Sequence, residues 1–174
     1  MRRIERRAPY SNGKVCAFTG HRPSKYPYLC DTASDEYGRL REELSRHIDA
    51  AVNEGYTHFI CGGALGADTL VAELILEKRE NDLRLTLEIA VPCDGQDKYW
   101  KSRDKQIYRD ILSRADTVTC LSDVYTPFCM QNRNQYMTER SQKLIAVYDG
   151  SRGGTYMTVL LALSRGIEVD IVRP

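Results

Sequence analysis

Residues 57–76 read Thr57-His-Phe-Ile-Cys-Gly-Gly-Ala-Leu-Gly-Ala-Asp-Thr-Leu-Val-Ala-Glu-Leu-Ile-Leu76. A short apolar run, Thr57 to Gly62, passes without a linker into the glycine cluster Gly62-Gly-Ala-Leu-Gly-Ala-Asp68. A helical pattern follows from about Ala67 to Glu80. Strand, tight turn and helix in immediate succession form the repeating unit of an α/β domain with a mainly parallel sheet. The same alternation extends in both directions. Upstream, Lys14 to Gly20 reads as a strand, and Glu36 to Glu54 reads as a helix with Leu40, Leu44, Ile48, Ala51 and Val52 on one stripe. Gly55 stands where a C-terminal cap is expected.

Downstream, strands are expected at Leu85–Val91, Thr117–Leu121, Leu144–Tyr148 and Ile167–Ile171, and helices at Tyr99–Arg114, Cys129–Ser141 and Thr155–Arg165. The expectation is about six strands with five intervening helices. With 174 residues there is room for one domain. That domain is expected over 14–174, preceded by a flexible basic tail over 1–13 that carries Arg2, Arg3, Arg6 and Arg7. The charged start is followed by no apolar stretch, so it does not read as a secretory signal. No run of about 18 apolar residues is present, and no membrane span is expected.

Lys and Arg total 25 against 24 Asp and Glu, a net charge of +1. That balance argues against a dedicated duplex-DNA binder, and any bound anion must be held by a local site. The six cysteines show no C-x-x-C spacing, so neither a metal site nor a redox motif is expected. A reduced, cytoplasmic protein is the simplest reading.

In an open parallel sheet, ligands bind beyond the carboxyl ends of the strands, near a reversal of strand order. The unusual residues of this chain fall in those loops. Thr19, Gly20, His21 and Arg22 follow the first strand. Gly62, Gly63, Gly66 and Asp68 follow the second, and Gly153, Gly154 and Thr155 follow the fifth. A glycine turn that opens a helix brings backbone N–H groups and the positive end of the helix dipole to one point, which suits a phosphate. The turn is neither a G-x-G-x-x-G fingerprint nor a P-loop. It is equally the kind of tight turn that needs small residues for packing alone. Asp68 can cap its helix or accept hydrogen bonds from a ribose or base.

Arg22 and Arg133 are candidates for bidentate phosphate contacts, with surface salt bridges as the alternative. His21, a lone histidine, reads as a hydrogen-bonded structural residue more readily than as a catalyst, and it stands among the candidate ligand-binding residues of its loop. Trp100, following Gln96 and Tyr99, either walls a pocket or packs.

Five segments in this order carry a resemblance to a known family: Ala17-Phe-Thr-Gly-His-Arg-Pro23, Gly62 to Asp68, Ala90-Val-Pro-Cys93 with Gln96 and Trp100, Cys129-Met-Gln-Asn-Arg-Asn134, and Ala146-Val-Tyr-Asp-Gly150 with Gly153-Gly154-Thr155. The chain resembles the YpsA-like branch of the bacterial SLOG superfamily, which includes the DprA and LOG proteins. The resemblance implies a single Rossmann-like three-layer domain and a pocket for a nucleotide or nucleotide-derived molecule of the NAD or ADP-ribose kind. Together with the two glycine junctions and the two candidate arginines, it gives as the first reading a nucleotide-binding sensor or regulatory module with no further cofactor required.

LOG phosphoribohydrolases are similar in an arginine on the penultimate helix, matched by Arg133, and in a Gly-Gly-x-Gly-Thr-x-x-Glu motif. Gly154 and Thr155 match the Gly-Thr pair, but the glutamate position is Thr158. A hydroxyl cannot supply the carboxylate that glycosidic cleavage needs. Asp68, Glu73 and Asp149 are acids that can substitute for it, none favoured by the sequence, with Asp68 and Asp149 kept as catalytic candidates. An N-glycosidase is therefore the second reading. Single-stranded nucleic acid binding, as in DprA, is the third, and the balanced charge weighs against it. Related proteins associate, so a homo-oligomer is compatible with a domain of this size.

Overall fold

The computed structural model describes residues 1–9 and 13–174. Among the described residues the sheet has seven strands: β1 (Arg2–Glu5), β2 (Lys14–Gly20), β3 (Tyr56–Cys61), β4 (Thr86–Val91), β5 (Thr117–Cys120), β6 (Lys143–Val147) and β7 (Glu168–Val172). Their order is β1-β5-β4-β3-β2-β6-β7. Every pairing is parallel except that of β1 with β5. Helices α1 (Asp35–Asn53), α2 (Ala67–Arg79) and α3 (Ser102–Arg114) pack into one apolar layer, and α4 (Cys129–Glu139) and α5 (Gly154–Ser164) into the other. The result is a three-layer Rossmann-like domain. Among the described residues no helix is long and apolar enough to cross a membrane.

Local chemistry sets these elements. The Ser34 hydroxyl accepts the Tyr37 amide at 3.2 Å and caps α1, with Asp35 and Glu36 at the positive end of its dipole. Leu40, Leu44, Ile48 and Ala51 form the buried stripe of α1. Gly55 follows the C-terminus at φ 91°, a conformation that costs a glycine little. Strands β3 and β4 are buried at every position because helices cover both their faces. The helix expected from Tyr99 begins at Ser102, and the other elements lie within two residues of expectation.

The N-terminal segment departs from expectation. Residues 2–5 are not a solvated tail but an antiparallel edge strand, in the register Arg2↔Cys120 to Glu5↔Thr117. Their arginines continue the docking. Arg6 donates to the Ala115 carbonyl at 3.0 Å, and Arg7 donates to Asp116 Oδ1 and to the Leu83 carbonyl, each at 2.8 Å. Residues 10–12 of the expected tail lie outside the described residues. The strand escaped the sequence reading because all four of its residues are exposed, so no apolar alternation marks it. It satisfies the open edge of β5, and its charged residues discourage further edge pairing.

Asp116 anchors this corner. Buried at 5% exposure, it also accepts the Leu87 amide and Arg79 Nη1, both at 2.8 Å.

A polar seam runs beneath the second helical layer. Glu88 of β4, 2% exposed, accepts hydrogen bonds from the Tyr136 hydroxyl (2.6 Å), the Thr119 hydroxyl (2.7 Å) and His58 Nε2 (3.2 Å). Burial pushes this carboxyl up, but the donors from His58, Tyr136 and Thr119 outweigh it and hold it at about 2.

Two outcomes follow from these anchors. Asp116→Ala should free the N-terminal segment, read as lost hydrogen-exchange protection across residues 2–7, while β2 and β3 keep theirs. The depressed Glu88 contributes stability above the ordinary carboxylate range that is lost as pH falls from about 4.5 to about 2, on the order of 3 kcal/mol in full. Urea unfolding should therefore show Glu88→Gln less stable than wild type at pH 7, with the difference closing across that acid window.

Candidate ligand-binding site

From β2 the chain lays β3, β4 and β5 on one side and then returns to place β6 and β7 on the other. The reversal falls between β2 and β6, where a crevice opens beyond the strand ends because the connecting helices diverge to opposite faces. A cleft of about 300 Å³ occupies it. Of the residues expected from sequence, Thr19, Gly20, His21, Arg22, Asp68, Arg133, Gly153, Gly154 and Thr155 line this cleft, and Gly62, Gly63 and Gly66 do not. Lys25, Asn134 and Arg152 also line it. Lys25 and Arg152 were not singled out, although each lies in a loop already marked by its neighbours.

The floor of the cleft is an ion pair. Arg133, in α4, is 7% exposed, and its Nη1 lies 3.5 Å from Asp68 Oδ2. Neither its Nε nor its Nη1 makes a hydrogen bond. Asp68, in the first turn of α2, accepts the Ala64 amide at 3.2 Å. Burial raises the Asp68 carboxyl above the usual carboxylate range, and the neighbouring Arg133 charge and the turn amides oppose that only in part.

Gly62 makes this pair sterically possible. A Cβ there would sit 1.2 Å from Arg133 Nη1, so any side chain would evict the guanidinium. Gly66 precedes α2 at φ 96°, and a Cβ there would lie 2.9 Å from the His21 carbonyl. The glycines of this turn thus let side chain and backbone approach closely. An amide of the turn is spent on Asp68 and is not left open for a ligand.

The second glycine corner differs. Neither α2 nor α5 has a side-chain cap, but the Ala67 amide that opens α2 is spent on the His21 carbonyl at 3.4 Å, whereas the first amides of α5 carry the unsatisfied donors and positive dipole end of an 11-residue helix. Gly153, Gly154 and Thr155 present that end to the cleft that Arg133 lines.

Asp149 holds the two walls together. It accepts hydrogen bonds from His21 Nε2 (2.9 Å), the Tyr26 hydroxyl (2.7 Å), and the Ser151 amide (2.9 Å) and hydroxyl (2.6 Å), and it pairs with Lys25 Nζ at 2.7 Å. These donors, Lys25 foremost, hold its carboxyl well below the usual range. Burial and the neighbouring Lys25 charge push the His21 imidazole down, against the pull of Asp149. Asp149 therefore staples the loop after β2 to the loop after β6 and does not line the cleft. Glu73 lies apart, in a different cavity. Thr158 is fully buried in α5, accepting from Asn134 Nδ2 at 2.8 Å and donating to the Gly154 carbonyl at 3.0 Å. Its hydroxyl is committed to positioning Asn134. Among the described residues no group of three His, Cys, Asp or Glu side chains is placed to hold a metal ion.

The arrangement can hold an anion in the cleft, and among the described residues the carboxylate that lines it, Asp68, is paired with Arg133. Comparisons with known proteins agree with the fold. A UPF0398 protein from Bacillus pumilus is 27% identical over 145 residues, covering 82% of this chain and 77% of that protein. The structure resembles DNA processing protein A from Streptococcus pneumoniae (TM-score 0.64, 16% identity), with 93% of this chain and 51% of that one covered. It also resembles DNA processing protein A from Helicobacter pylori, described for its single-stranded DNA binding mode (TM-score 0.62, 16% identity, covering 94% and 66%). This chain therefore spans about half and two thirds of those two chains, and at such identities the likeness is one of fold. A family model described as the YspA SLOG family (YpsA) matches residues 16–165. The chain belongs to the YpsA family of SLOG proteins.

Proposed function

We propose that the protein binds a phosphate-bearing, nucleotide-derived small molecule in the β2–β6 cleft and acts as a sensor or regulatory module. The observation that carries this reading is Arg133, a buried guanidinium at the floor of the cleft whose Nε and Nη1 make no hydrogen bond. A buried polar donor left without a partner costs about 1–3 kcal/mol, and more when charged. Asp68 at 3.5 Å offsets the charge but leaves the hydrogen bonds unmade. An anion in the cleft would accept them, and the uncapped α5 N-terminus would hold its other oxygens. Arg22, Lys25 and Arg152 at the same cleft add positive potential. A cleft of about 300 Å³ is at the small end of ligand pockets, enough for a phosphate and its sugar. Thr158, in the place of the LOG glutamate, supports binding over hydrolysis.

A second reading is single-stranded DNA binding, with the same cations meeting backbone phosphates. It draws on the fold shared with the two DprA proteins. A gel shift with an oligothymidylate separates the readings. Retention that falls steeply with added salt supports the DNA reading, and no retention at low salt removes it.

Isothermal titration with AMP, ADP-ribose and NAD tests the leading proposal. Removing Arg133 alone would strand Asp68 as a buried unpaired charge, so the variant should be Arg133→Met with Asp68→Asn. Wild type should bind at least one of these ligands, and the double variant should bind it about 10–100-fold more weakly with its fold intact by circular dichroism. No heat from any ligand at millimolar concentration, or unchanged affinity in the double variant, would overturn the reading.

A further inference from the structure

A second cavity, of about 420 Å³, adjoins the first, and Arg22, Ala64 and Met130 line both. Gln96, Trp100 and Asp104 line the second and not the first. Trp100 is half-buried and meets the ring of Tyr108 edge-on, with centroids 5.1 Å apart and planes at 63°. Tyr108 is itself buried in α3, so it gives the indole a fixed support. Gln96 Nε2 donates to the Gly63 carbonyl at 3.1 Å and ties the loop after β4 to the turn after β3. The segment bearing Trp100 is thus anchored on two sides. Asp104, in the first turn of α3, is half-buried and makes no hydrogen bond or ion pair among the described residues.

An anchored indole offers an aromatic face to a flat ring, and a free carboxylate accepts N–H donors from that ring's edge. We infer that the second cavity holds the base of the ligand whose phosphate lies over Arg133, and that this base is an aminopurine packed on Trp100 with its amino group donating to Asp104. Arg22, at the junction of the two cavities, faces the sugar-phosphate link between them. The inference rests on the phosphate reading of the first cleft and extends it to the kind of base.

Trp100 is the single tryptophan of the chain, so its emission reports this cavity alone. The full-length protein is titrated with AMP, IMP and ribose 5-phosphate, following heat and tryptophan emission together. AMP should bind about tenfold or more tighter than ribose 5-phosphate and quench the emission, whereas ribose 5-phosphate should bind without quenching. IMP, which lacks the amino group, should bind more weakly than AMP. Asp104→Ala should abolish that preference, and Trp100→Ala should reduce AMP to the affinity of ribose 5-phosphate. Should Trp100→Ala fail to fold, the wild-type emission and Asp104→Ala still decide. Equal binding of AMP and ribose 5-phosphate with unchanged emission would overturn the inference and leave the phosphate reading standing. Equal affinity for AMP and IMP would overturn the role of Asp104. Absence of heat from both AMP and ribose 5-phosphate would overturn the phosphate reading and this inference with it.

Discussion

Arg133 is held inside the protein by Asp68, and room for it exists only because residue 62 has no side chain. Placing a guanidinium out of water is costly, and one carboxylate at 3.5 Å returns part of that cost through attraction while leaving donors unmade. The arrangement persists because three elements over-determine it. Helix α4 brings Arg133, the first turn of α2 brings Asp68, and the turn after β3 withdraws at Gly62 to admit the guanidinium. A buried charge left incompletely satisfied at the edge of a cleft is what distinguishes a site from a core.

The walls around that floor depend on Asp149. It gathers donors from both the loop after β2 and the loop after β6, which flank the reversal of strand order. The cleft therefore has its width set by one carboxylate that never faces it. Thr158 works in a similar way one turn into α5, orienting Asn134 toward the cleft from a fully buried position. In both cases a side-chain oxygen is consumed in holding others in place, and Asp149, a catalytic candidate from sequence alone, is one of them. The cations that line the cleft, Arg22, Lys25, Arg133 and Arg152, stand around it together with the α5 amides, and the acid on the lining, Asp68, is paired with Arg133.

Much of this was legible in the chain. The run from Thr57 to Leu76 announces strand, turn and helix because backbone hydrogen bonding, apolar periodicity and glycine punctuation are local properties. Gly153, Gly154 and Thr155 were legible for the same reason, since an uncapped helix start is written in its own residues. Strand β1 was not, because an edge strand exposed at all four residues needs no apolar pattern and is specified by its partner β5 and by Asp116. The β3–α2 turn was legible as a turn, with its glycines read equally as a phosphate cradle or as a packing requirement; that Gly62 makes room for Arg133, 71 residues further along the chain, was not legible.

The sequence by itself determined the α/β class, nearly every element boundary and the set of loops that meet at the strand ends, because each follows from interactions within a few residues. Only the tertiary structure decided which of those loop residues face a common cleft and which are spent on one another. Asp149 and Asp68 look alike in sequence as acids beside glycines. One is surrounded by His21, Lys25, Tyr26 and Ser151, and the other lies under Arg133. That division rests on contacts between segments brought together by the reversal of strand order, and a neighbour supplied by a distant segment leaves no mark on the local pattern of the residue that meets it.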